Sequence, residues 1–250
     1  MRKGELNPSK PNASGPVSGV YGRSRSRTLI DPSGWAFAIW GPIYLGETAF
    51  VATQLLSSHA DAVIPGITAP FAAANLFQSL WCASFRPSYL GDGMKKYISA
   101  GMLAGTAYSL SMVLEAGNSA AAADPTFQSW MLTPFVMHFG WVSAATLVNF
   151  NGSFASDETA SPRALTALGH SSALIAAALG VGVTMSMSAP VYGMTLAWAL
   201  AACADGMKKR KPAQSENDEK ILGSAAIVQR RLCLAGSLAC GATALYTALL

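Results

Sequence analysis

A glutamate in the middle of an apolar run constrains this chain more than any other feature. Residues 35–50 read WAFAIWGPIYLGETAF and the apolar character continues to residue 56. At about 1.5 Å per helical residue, such a run can cross a hydrocarbon layer roughly 30 Å thick. A carboxylate at that depth costs several kcal/mol unless it is neutral, paired or wetted. Glu47 is therefore expected to face protein or a cavity rather than lipid, and the rest of the chain must supply those surroundings.

Composition supplies the class. Hydrophobic residues make up 51% and charged residues 12%, where a soluble domain carries about 25% charged, so an all-α, polytopic transmembrane bundle is expected. Seven apolar segments qualify as spans: 35–56, 67–85, 97–114, 130–150, 165–185, 190–204 and 232–250. With the N-terminus inside, all 17 Lys and Arg fall in the tail 1–34 or in the inner loops 86–96, 151–164 and 205–231. The outer loops 57–66, 115–129 and 186–189 have none, as the excess of basic residues on cytoplasmic sides requires. The net charge of +4 is thus topological, and no nucleic-acid partner is implied.

Residues 1–30, rich in Ser, Pro, Gly and Arg, read as a flexible basic tail, and the 208–211 KKRK run as a topological signal opening a solvated loop. Cys82, Cys203, Cys233 and Cys240 lie in or beside apolar runs without CxxC or zinc spacing, so they read as packing residues and no metal site is expected. Nucleophilic triads, phosphate loops and paired carboxylates are absent from the sequence, which argues against an enzyme. Gly101 and Gly105 form a small-xxx-small face that permits close contact within the bundle or across a homodimer.

Three motifs, in order on the first, second and fourth spans, resemble the translocator protein family, also called tryptophan-rich sensory proteins, and its longer relatives in particular. They are Trp40-Gly41-Pro42-Ile43-Tyr44; then Gln78, Trp81 and Phe85; and then Pro134-Phe135, Trp141, Ala145 and Asn149. The resemblance covers residues 32–150 and makes them a four-span core, with three additional spans over 165–250 around the charged inner loop 205–231. Compact family members have Asn three residues before the helix-three Trp. Here Gln78 stands there, with Asn75 one turn earlier. Family helix one has no counterpart before residue 35, and the sixth span, antiparallel to the first, is a candidate to fill its place.

The same residues converge without the family. Trp141, Ala145 and Asn149, four apart, share one helix face, with a small residue that leaves room for a flat guest. Trp40 and Trp81 fall, like Trp141, in the inner halves of their spans, whereas Trp35 and Trp130 sit at span ends as interfacial anchors. Counted by helical rise, Glu47 lies about 18 Å from the inner end of its span and His138 about 14 Å from the outer end of its own, so the two could pair. His138 could instead face a tetrapyrrole metal or propionate. His170 reads as structural or water-facing.

The candidate site is therefore Phe37, Trp40, Tyr44, Glu47, Asn75, Gln78, Trp81, His138, Trp141, Ala145 and Asn149. The resemblance implies a binder of a lipophilic small molecule, porphyrin or sterol-like, acting as sensor, carrier or scavenger. It requires no cofactor, although the guest could be porphyrin or haem. Two other classes stay open: a proton- or cation-coupled transporter using Glu47, and a structural subunit of a larger complex. A bacterial inner membrane and an organelle membrane fit equally.

Overall fold

The computed structural model describes residues 25–56, 64–84, 93–123 and 129–250. Among these the chain is helical without strands. A 3-10 turn, Gly34–Ile39, leads into α1 (Trp40–Leu56). The remaining long helices are α2 (Ile64–Ala83), α3 (Ile98–Ala123), α4 (Thr133–Ala155), α5 (Pro162–Ser186), α6 (Pro190–Lys208) and α7 (Glu216–Leu249). Phe85 and most of the tail and of loops 57–66 and 86–96 lie outside the described residues, as does the side chain of Trp130.

Prolines place several helix starts. Pro42 falls in the first turn of α1, where its missing N–H would have no helical partner, so the preceding residues wind as 3-10 and α-geometry begins at Trp40. Pro134, Pro162 and Pro190 occupy the first turns of α4, α5 and α6. Among the described residues, three segments, Lys95–Ala122, Pro162–Ser186 and Glu216–Leu249, are long and apolar enough to cross a membrane by length and composition alone.

The hub is α4, which packs against α1, α3, α5 and α6, while α6 and α7 form the most extensive helix pair. Close approach depends on glycine. A Cβ on Gly140 would stand 2.8 Å from the Thr195 side chain, so α4 and α6 can touch there only without one. The small face on α3 is divided: Gly105 lies under the Phe77 ring of α2, and Gly101 points into open space. Three cysteines are buried as expected of packing residues, but Cys82, near the C-terminal end of α2, is exposed.

Two sequence expectations change. The first concerns the tail, whose last residues are a docked strap across the inner helix ends. Leu29 is fully buried against Gly169 of α5, and Ile30 is buried beside it. Arg27 donates to the carbonyls of Ala155, Asp157 and Ala160, capping the C-terminal end of α4, and lies 3.7 Å from Asp218 of α7. The Ser33 amide donates to Ala202 of α6 at 3.0 Å. An apolar pair this short leaves no hydropathy signal, which is why the strap reads as tail.

The second concerns the inner loop 205–231, which is helical from Glu216 onward. Ser215 caps α7 by accepting from the Asp218 amide, and Glu216, Asp218 and Glu219 complement the helix dipole in the first turn. The charges that suggested a loop are a helix-start signal. At 34 residues α7 is about 51 Å long, so it extends beyond a bilayer core on the inner side.

Sidedness has a direct check. Asn118 of α3 donates to Met187 in the α5–α6 turn, so both lie at one end of the bundle, opposite the basic end. Cysteine substitutions at exposed Ser119 and Ser215 are expected to label from opposite faces of sealed vesicles. Labelling of both from one face would overturn the orientation.

Candidate functional site

An apolar cleft of about 490 Å³, counting its open mouth, lies at the inner half of the bundle. The 3-10 turn and α1 contribute Phe37 and Trp40, α2 contributes Trp81, and α4 contributes Trp141, Ala144, Ala145, Val148 and Asn149. The aromatic walls are edge-on to one another. Trp141 meets Phe37 at 5.5 Å and 82° and Trp40 at 6.4 Å and 84°, which are T-shaped contacts that fix ring planes. Trp81 donates its indole N–H to Asn149 at 3.3 Å, and Asn149 donates back to the Ala145 carbonyl at 2.9 Å. The polar groups of that wall are thereby tied to protein, leaving rings and small side chains to face a guest.

Six of the residues singled out by sequence, Phe37, Trp40, Trp81, Trp141, Ala145 and Asn149, line the cleft together. Tyr44 does not line it; one turn beyond Trp40, it stacks on that ring at 5.0 Å and is half exposed. Asn75 also lies elsewhere, exposed on α2 and bonded to Phe71 O. Six residues at about 100° each turn it some 120° away from Trp81, so only one of the two can face the cleft. Gln78, between them, is buried, with an Oε1 that has no partner among the described residues.

Glu47 and His138 pair on facing helices. Nδ1 of His138 is 2.8 Å from Oε1 of Glu47, and both side chains are almost fully buried. The ring lies 5.3 Å from Trp40, edge to face, so the pair supports a cleft wall without lining it. Nε2 of His138 is buried and has no partner among the described residues.

The sequence offers the sixth span as a candidate for the far side of the cleft, but not the residues that form its wall. Ala199 and Cys203 of α6, Leu103 of α3 and Pro32 of the strap close the cleft. The late span that stands beside the aromatic residues is thus α6. Its signal was a small-residue face with Ala199 and Cys203 four apart, which is weak in a chain this rich in alanine. The strap is fastened at this point. The Ser33 hydroxyl and the Trp35 indole N–H both donate to Asp205, which also meets Lys209, and Trp35 packs edge-on against Trp198 at 4.6 Å. Trp35 is therefore held by α6 as well as placed at a span end. In a second buried seam, His170 meets Gln229 at 2.6 Å, a structural bond between α5 and α7.

These features define a membrane-embedded helical bundle with an aromatic cleft at its inner end. The sequence profile of the TSPO-like protein family matches residues 11–235, and the chain belongs to that family. The match extends beyond the four-span core through α5, α6 and much of α7. No curated protein and no solved structure matches the chain.

Proposed function

We propose that this protein binds a flat, lipophilic small molecule of the porphyrin or sterol-like class in the aromatic cleft, as a sensor, carrier or scavenger rather than an enzyme. The supporting observation is the convergence of Phe37, Trp40, Trp81 and Trp141, from three chain segments, around a space floored by Ala144 and Ala145. Such a site binds by area and ring contact, with the fixed rings limiting the shape of the guest.

The test is porphyrin quenching of tryptophan fluorescence. Trp141→Ala is expected to weaken binding by about 1 kcal/mol or more, since a ring contact contributes roughly 0.5–1.5 kcal/mol beyond its area. Trp130→Ala should leave it unchanged, because that residue lies about 16 Å along the chain axis from Trp141. Equal losses in both variants would mean nonspecific partition into the membrane.

A second reading, coupled transport, draws on one observation. A carboxyl and an imidazole share a hydrogen bond in mid-bundle, and the second ring nitrogen is uncommitted among the described residues. Such a pair can take up and release a proton during a cycle.

A further inference from the structure

Glu47 and His138 lie beneath a cluster of interlocked rings. Phe50 of α1, Phe71 of α2 and Phe135 of α4 meet edge to face, with centroids 4.9, 5.0 and 6.4 Å apart, and Phe50 and Phe135 are buried. Glu47 and His138 each stand three residues inward of their own Phe, about 4.5 Å by helical rise. The outer side of the pair is therefore closed by hydrocarbon. Its inner side is not: Gln78 follows Phe71 by seven residues, Asn149 borders the cleft, and Trp40 of the cleft wall meets the His138 ring edge to face.

Two buried acceptors belong to this inner layer. His138 is 3% exposed and Gln78 9%, and neither Nε2 of the one nor Oε1 of the other has a partner among the described residues. With Nδ1–H donating to Glu47, Nε2 carries a lone pair, and so does the amide oxygen. Two acceptors cannot bond each other. A water molecule has two hydrogens and can donate to both, which is how buried polar groups of this kind are ordinarily satisfied.

We propose that one water bridges His138 Nε2 and Gln78 Oε1, and that through it the Glu47–His138 pair exchanges a proton with the cleft and the inner side alone. Uptake places the proton on Nε2 while Nδ1–H stays bonded to the carboxylate, so an imidazolium–carboxylate pair replaces a lone buried carboxylate. Release returns the proton to the water. Gln78 is a positioning residue, which holds the water and takes no proton. The three Phe rings block the outward path because they offer a proton no hydrogen bond. No other Asp, Glu, Lys, Arg or His stands at this level on the helices packed around the pair. The helix α2 has none, Glu115 of α3 lies toward the outer end, Arg163 of α5 and Asp205 and Lys208 of α6 lie toward the inner end, and His170 of α5 is bonded to Gln229. Tyr44 of α1 and Tyr192 of α6, which meets Phe139 at 4.6 Å, are phenols and do not change charge near neutral pH. The proposal shares with the transport reading the premise that the pair exchanges a proton, but it requires no coupled flux.

Two measurements on the full chain test it. With isotope-labelled histidine in nanodiscs, and His138 assigned by its loss in H138Q, the Nε2 resonance is expected to exchange magnetisation with water. Q78M keeps the volume and removes the acceptor, and should slow that exchange about tenfold, as the loss of one hydrogen bond would. The His170 resonance, from the separate seam with Gln229, reports that the fold is intact. A direct contact from Nε2 to Gln78, or an exchange rate that Q78M leaves unchanged, would overturn the water port. In sealed vesicles with a trapped pH dye and no ligand, wild type should hold a pH gradient. F135A, or F71A at the least buried of the three rings, should dissipate it several-fold faster, and H138Q in either background should restore tightness. Wild type as leaky as the ring variants, ring variants as tight as wild type, or a leak that H138Q does not close would each overturn one-sided access. Neither measurement uses a guest or a coupled gradient, so failure of the binding or the transport reading shows separately.

Discussion

Glu47→Ala is expected to destabilise the bundle by about 3–5 kcal/mol, the usual cost of stranding one member of a buried, hydrogen-bonded pair. His138 would keep a buried ring with neither nitrogen bonded among the described residues. Replacing both partners, as Glu47→Leu with His138→Leu, should recover most of the loss, because no polar group is then left unpaired. Thermal unfolding in detergent measures both. A single variant that costs less than about 1 kcal/mol would mean that water reaches the pair. Glu47→Gln keeps a hydrogen bond to His138, so folding and ligand affinity should change little. The same variant separates binding from transport. If wild-type vesicles carry a pH-driven flux that Glu47→Gln abolishes while affinity survives, the transport reading replaces the preferred one; wild type without flux removes it.

Gly206→Ala should release the strap. A methyl group there would overlap the backbone carbonyl of Asp31, and a backbone cannot yield by changing rotamer. Two effects oppose each other. Alanine favours a helix by roughly 0.5–1 kcal/mol over glycine, whereas overpacking costs about 1–3 kcal/mol before the loss of strap contacts is counted. The second should prevail, so the Ser33 amide would leave Ala202 and exchange faster with solvent. Pro32 would leave the cleft wall with it, and probe affinity should fall. Gly152→Ala is the control, because its methyl would meet nothing within 4 Å. Unchanged exchange at Ser33 in Gly206→Ala would show that the strap is held by its other fastenings alone.

Much of the site was legible because its signals are local. Trp141, Ala145 and Asn149 share a face by helical periodicity, and this needs no neighbour. The equal depths of Glu47 and His138 follow from rise per residue once a bilayer fixes where each span begins, and the pair indeed forms. Ser215 with Asp218 is a legible helix start, but the surrounding charges suit a solvated loop equally well and so obscure it.

By itself, then, the sequence determined an α-helical membrane bundle, its charge asymmetry, and an aromatic face on each of three helices. Hydrophobicity and periodicity decide these within one segment. Only the tertiary structure decided that Trp81 and not Asn75 faces the cleft, that α6 supplies its far wall, and that Pro32 of the docked strap joins that wall. Those outcomes depend on which glycine notch receives which neighbour, as Gly206 receives the Asp31 backbone and Gly169 receives Leu29. Contacts such as Ser33 to Asp205 join residues 172 positions apart, and steric fit over that separation is a property of the packed chain, which no local pattern encodes.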